Sequence, residues 1–215
     1  MPSGTLSQSI ARAALLSAAA GYVEIIGYLD FSGLYPGIMT GNTVQFGYAA
    51  ISRNWTLGGS FGLVLGLFFA GYPCGAIARR LIPTPRHMLL AIVAADLLRQ
   101  DAALSLRGEL PLLALAMAMQ GETFASIGGQ SIQIIVVTIN IIKCADALIA
   151  MAGAIMWRTG DAMISLRTAA LSGGAWLGYS GGVMAGALAR RDAPHPLLIA
   201  ALIFVDIAVT GATRA

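Results

Sequence analysis

Met39-Thr40-Gly41-Asn42-Thr43-Val44-Gln45 is a polar run set between apolar stretches, with Glu24 embedded in the apolar stretch before it. The pattern returns as Glu122 followed by Val137-Thr138-Ile139-Asn140-Ile141-Ile142-Lys143. Glu24 and Glu122, Thr40 and Thr138, Asn42 and Asn140, and Gln45 and Lys143 are each 98 positions apart (122−24, 138−40, 140−42, 143−45), without a gap. Polar side chains in sequence this apolar are costly in lipid and point to a function there. Two related halves with polar groups near mid-membrane are a recurring transporter design.

Composition sets the environment. Of 215 residues, 57% are hydrophobic and 11% charged, and the mean hydropathy is +0.77. A soluble domain carries roughly a quarter charged residues, so this chain is read as an all-α integral membrane protein. Its basic residues are scattered in short loops, so the net charge of +3 gives no basic patch for nucleic acid. The lipid bilayer is the expected partner. Cys74 and Cys144 sit far apart in apolar segments and are read as small packing residues, not a disulfide or metal site.

Polar punctuation divides the chain into eight hydrophobic segments, at about 10–29, 37–51, 57–78, 88–104, 110–127, 132–156, 169–189 and 197–210. They give six to eight transmembrane or re-entrant helices in two tandem related halves, 1–107 and 108–215, forming one membrane domain. Arg79-Arg80 and Arg190-Arg191 close equivalent segments, and Asp96 and Asp206 occupy equivalent places in the last segment of each half. There the offset has grown to about 110, which predicts a longer loop around Arg158–Arg167. Eight spans make the halves parallel; a re-entrant second segment makes them inverted. Arg12, Ala13–Leu16 and Ala18–Ala20 mimic a signal peptide, but they align with residues 113–118 and are read as retained.

The candidate ligand-binding residues are Glu24, Thr40, Gly41, Asn42, Gln45, Glu122, Thr138, Asn140 and Lys143. A carboxyl such as Glu24 in an apolar helix can bind a cation or carry a proton. Thr40 and Gly41 fall near the start of a helix, where free backbone N–H groups can hold an anion. Asn42 and Gln45, three apart, share a helix face; as an alternative to ligand binding, they are interhelical glue. Lys143 pairs with Asp146 one turn on, or is a counter-ion for Glu24 or Glu122. Gly58, Gly62, Gly66 and Ala70, and again Gly174, Gly178, Gly182 and Gly186, form stripes of small residues. These allow close helix packing of one striped segment on the other, or a homodimer face. Asp96, His87 and His195 are read as solvated. No phosphate loop, nucleophile elbow or metal-ligand spacing is present in the sequence, so no cofactor, no metal and no enzyme activity are expected.

Gly21-Tyr22-Val23-Glu24 followed by Gly37-Ile38-Met39-Thr40-Gly41-Asn42-Thr43-Val44 resembles the YoaK family of bacterial multi-pass membrane proteins, over nearly the whole chain. That family has Asp where this chain has Glu24. It has Gly-(Met/Val)-Gln-Asn-Ala where this chain has Met119-Gln120-Gly121-Glu122, and Thr-Gly-Thr at Thr138-Ile139-Asn140. The resemblance implies a bacterial inner-membrane protein of transporter-like character and names no substrate. The expected function is a secondary transporter or permease of a small polar solute or ion, proton-coupled through a membrane-embedded Glu. The alternative is a non-catalytic membrane scaffold or accessory subunit.

Overall fold

A computed structural model describes residues 5–81, 93, 95–96, 108–123, 126–127, 130–131, 137–158 and 160–203. The fourth expected segment, His87, Asp206 and the proposed boundary near Arg107 fall largely or wholly outside them. The protein is all-α. Its helices are α1 (Leu6–Asp30), α2 (Met39–Ile51), α3 (Trp55–Leu81), α4 (Leu110–Thr123), α5 (Val137–Trp157) and α6 (Ala162–Asp192). A further helical stretch covers 196–203. A two-residue antiparallel pair, β1 (Ser126–Ile127) and β2 (Gln130–Ser131), follows α4. Among the described residues, three helices are long and apolar enough to cross a membrane: Leu6–Asp30, Trp55–Cys74 and Val137–Trp157.

Local chemistry explains the helix starts. The Thr5 side chain accepts from the Gln8 amide while Gln8 reaches back to the Thr5 amide, a capping box for α1. Asp161 Oδ1 accepts from the amides of Met163 (2.8 Å) and Ile164 (3.2 Å) at the start of α6. The longer loop expected around Arg158–Arg167 is therefore absent. α5 ends at Trp157 and α6 begins at Ala162, and the extra length lies in α5, which has 21 residues where α2 has 13. Asp161→Ala removes the acceptor for two orphan amides and should cost about 1 kcal/mol, read as a lower melting temperature in detergent. An unchanged melt would show the cap to be energetically idle.

Helix hairpins form at α2–α3 and α5–α6. Each turns through an arginine in the left-handed region, Arg53 (φ 56°) and Arg158 (φ 55°). Between the hairpins, α1 packs on α6 and α4 packs on α3. The α1–α6 seam shows why glycine recurs every four residues. A Cβ at Gly174 would press on Ile10, at Gly178 on the Ala14 backbone, at Gly182 on the Ala18 backbone, and at Gly186 on the Tyr22 backbone. Both members advance by four together, so the two helices run parallel. Glycine permits this backbone-to-backbone approach. The Arg190 Nε to Asp30 Oδ1 ion pair (2.7 Å) lies at the C-terminal end of the seam.

This corrects the expected use of the stripes. They do not pack on each other: the 174–186 stripe is consumed by α1. On the first stripe, Gly58 faces Ala49 and Gly62 faces Phe46 of α2. Only Gly66 of that stripe meets nothing within 4 Å. The core cluster draws on α1, α4 and α6 and includes Leu16, Ala20, Val23, Leu113, Met117, Leu171 and Ala175. Cys144 is half-buried, with its Sγ toward Gly173, whereas Cys74 is exposed, contrary to its reading as a packing residue.

Candidate functional site

Between α1 and α2 the chain does not leave the core. Phe31, Leu34, Pro36 and Gly37 are buried, and the segment 31–38 folds back along the last turns of α1. Gly27 makes room for it: a Cβ there would overlap the Pro36 ring. The fold-back brings Gly37 onto Glu24, one turn earlier on α1, and against Met117 of α4.

Glu24 is 2% exposed. Its carboxyl faces the backbone amides of Gly37 and Ile38 at the start of α2, yet neither oxygen completes a hydrogen bond of ordinary geometry. Tyr35 and Tyr179 lie within its electrostatic reach. The Tyr35 ring packs on Tyr28, with centroids 4.7 Å apart. Tyr179 arrives from α6 because Gly21 lets its backbone carbonyl touch α1. Four parts of the chain (α1, the 31–38 segment, α4 and α6) thus converge on one carboxyl.

Asn42 is fully buried and holds this segment in place. Its Oδ1 accepts from the Tyr35 amide (3.0 Å), and its Nδ2 donates to the Tyr35 carbonyl (2.7 Å). Both ends of the side-chain amide are therefore engaged with the backbone of one residue. Asn42 joins a helix to a fold-back segment, a contact that differs from the expected glue between two helices.

The other expected site residues separate. Gly41 packs against the Tyr35 ring, but Thr40 and Gln45 are exposed. Asn42 and Gln45 consequently do not share a buried face. The amides at the head of α2 that meet a carboxyl are those of Gly37 and Ile38, not Thr40 and Gly41, and the carboxyl is the chain's own. In α5, Asn140 is buried, Thr138 is exposed and Lys143 is half-buried. Asp146 is exposed, and no Lys143–Asp146 ion pair occurs among the described residues. Glu122 lies in the last turn of α4; its side chain is outside the described part.

Sequence reasoning also misplaced Asp96. It is completely buried, accepts from the Leu197 amide (3.0 Å) and bonds His195 Nδ1 (2.7 Å). It serves as a tertiary cap for the stretch 196–203. Tyr22 Oη donates to the Pro196 carbonyl (2.9 Å) beside it. Among the described residues no three His, Cys, Asp or Glu side chains form a metal-binding group.

No curated protein and no solved structure matches this chain. The family model for DUF1275, described as a protein of unknown function, matches residues 12–210, and the chain belongs to that family, in keeping with its YoaK-like motifs.

Proposed function

We propose that this protein is a secondary transporter or permease for a small polar solute or ion, a multi-pass protein of a bacterial inner membrane. The observation that carries the reading is Glu24: a buried, unpartnered carboxyl set against non-helical backbone at the head of a short helix. Irregular backbone at membrane depth is tolerated where protein buries it or where it lines a cavity. Helix starts at such breaks are where transporters of repeated design hold their ligands. At a rise of 1.5 Å per residue, the 13 residues of α2 reach about 20 Å. That is short of a hydrocarbon core of about 30 Å, so α2 is a partial span preceded by the buried 31–38 segment.

The packing supports reading 1–107 and 108–215 as repeats. The first helix of each half lies on the third helix of the other, α1 on α6 and α4 on α3. Each half also carries its own hairpin, and Asn42 and Asn140 are both buried in the opening turn of their helices. On this reading Glu122, Thr138, Asn140 and Lys143 belong to the second half's version of the site. A second copy of the chain would use the α3 stripe near Gly66, since α1 covers the other. The protein is read as a carrier without enzyme activity or cofactor.

Glu24→Gln tests this directly. The amide keeps the shape of the carboxyl but cannot ionise. Uptake into proteoliposomes, screened over anionic, neutral and cationic solutes, should fall at least about tenfold, equivalent to about 1.4 kcal/mol, with the melt unchanged. Wild-type uptake by the variant would sink the proposal. A second reading, a membrane scaffold, is favoured by the full engagement of Asn42 with the Tyr35 backbone. It predicts that Glu24→Gln alters stability or assembly and that no solute moves.

A further inference from the structure

The surroundings of Glu24 discriminate between the ligands it could take. Gly37 is pressed on Oε1 so closely that one added methyl would overlap that oxygen and crowd the Met117 side chain. The backbone groups facing the carboxyl are the Gly37 and Ile38 amides, which are donors. A hard metal cation needs a shell of oxygen acceptors. The Tyr35 carbonyl, the acceptor fixed in this segment, is bound by Asn42 Nδ2. Among the described residues, the backbone groups that face the carboxyl are N–H donors and not the oxygen acceptors a cation needs.

A proton needs neither a shell nor volume. It sits on one carboxyl oxygen while the other faces the amides. An ionised carboxylate enclosed in apolar surroundings costs far more than its neutral form unless it is paired. Among the described residues, the titratable groups within electrostatic reach of Glu24 include two tyrosines. Tyr35 faces it from the fold-back segment and Tyr179 from α6. On α1 itself, Tyr28 stacks on Tyr35 and Asp30 is bound to Arg190. From α4 the described contact is Met117, the Glu122 side chain of that helix lying outside the described part, and β1, Ser126–Ile127, carries no titratable group.

Resting on the transport reading above, we propose that Glu24 is a proton-binding site and that a proton, not sodium, is the coupling ion. In this conformation the carboxyl is neutral and sealed by the 31–38 segment. Releasing the proton means transferring it from the carboxyl O–H to water, which leaves a carboxylate. Water reaches the group only when Gly37 and Pro36 part from α1. Proton release and opening of the segment are then one event, and the carboxylate left behind opposes reclosure until it is protonated again.

Infrared spectroscopy of the purified full chain reads the protonation state, because a carboxylic acid has a C=O stretch that a carboxylate lacks. Wild type at neutral pH should show an acid band from a buried group, lost in Glu24→Gln and shifted but kept in Glu24→Asp. Its melting temperature should be equal in sodium, potassium and choline chloride. Absence of a Glu24-dependent acid band, or stabilisation by sodium that Glu24→Gln removes, would overturn the proton assignment. Uptake of a solute driven by a sodium gradient would do the same while leaving the transport reading intact. A Glu24-dependent acid band with no solute uptake under any pH gradient would instead retire the coupling role and the transport reading together, leaving a structural proton.

Discussion

Gly182→Leu should all but abolish folded protein, while Gly181→Leu, one residue away on the same helix, should be tolerated. A Cβ at Gly182 would overlap the carbonyl oxygen, carbonyl carbon and Cα of Ala18, whereas one at Gly181 meets nothing within 4 Å. Backbone cannot rotate aside as a side chain can, so α1 and α6 would have to separate along their whole parallel seam. Overpacking in cores costs about 1–3 kcal/mol where side chains can yield, and a backbone obstacle puts this variant at or above the top of that range. Size-exclusion profiles and melts of the two variants in detergent make the comparison. Equal behaviour would mean that the seam is not closed in the membrane-extracted protein. Separation of α1 from α6 would also withdraw Tyr179 from the neighbourhood of Glu24, so partial folding of Gly182→Leu should be accompanied by loss of function.

Much of the helical framework was legible because apolar runs bounded by Gly, Pro and Arg leave few alternatives in a chain this poor in charge. The expected segment 37–51 differs from α2 only at its start, since Gly37 and Ile38 belong to the fold-back. The start of α6 was misread by seven residues. The stretch expected to be a loop ends at Arg167, yet Thr168 Oγ1 donates to the Ile164 carbonyl within the helix, and Asp161 is the available cap signal. The spacing of Asn42 and Gln45 suggests one shared face, yet Asn42 is buried and Gln45 exposed. A helix can satisfy a hydroxyl on its own carbonyls, as Thr43 does with Met39 (2.8 Å), so a polar residue in an apolar helix does not by itself mark a buried face. Glu24 and Asn42 were identifiable from sequence, and both are buried. Their partners were not: Tyr179 is 155 positions from Glu24 (179−24). The role of Gly37 depends on a fold-back that no periodicity reports. Spacing likewise could not show that the 174–186 glycines face α1, because a stripe states that something comes close and not what.

Asn42→Ala should destabilise the protein by about 2–4 kcal/mol, and it should do so where Glu24→Gln does not. The side chain makes two hydrogen bonds to the Tyr35 backbone. Each bond is worth about 1 kcal/mol net, and a buried backbone donor or acceptor left without its partner costs a further 1–3 kcal/mol. Asn42→Asp should recover little. It still offers an acceptor to the Tyr35 amide, but it replaces the donor that meets the Tyr35 carbonyl with a second oxygen. Loss of the staple frees the segment that carries Gly37 and Ile38 to Glu24, so transport should fall as well, with the melt falling beside it. Glu24→Gln should lose transport alone. That contrast separates a residue that builds the site from one that acts in it. If Asn42→Ala melted with the wild type while transport disappeared, the staple would be wrong and Asn42 would belong with the residues that meet the solute.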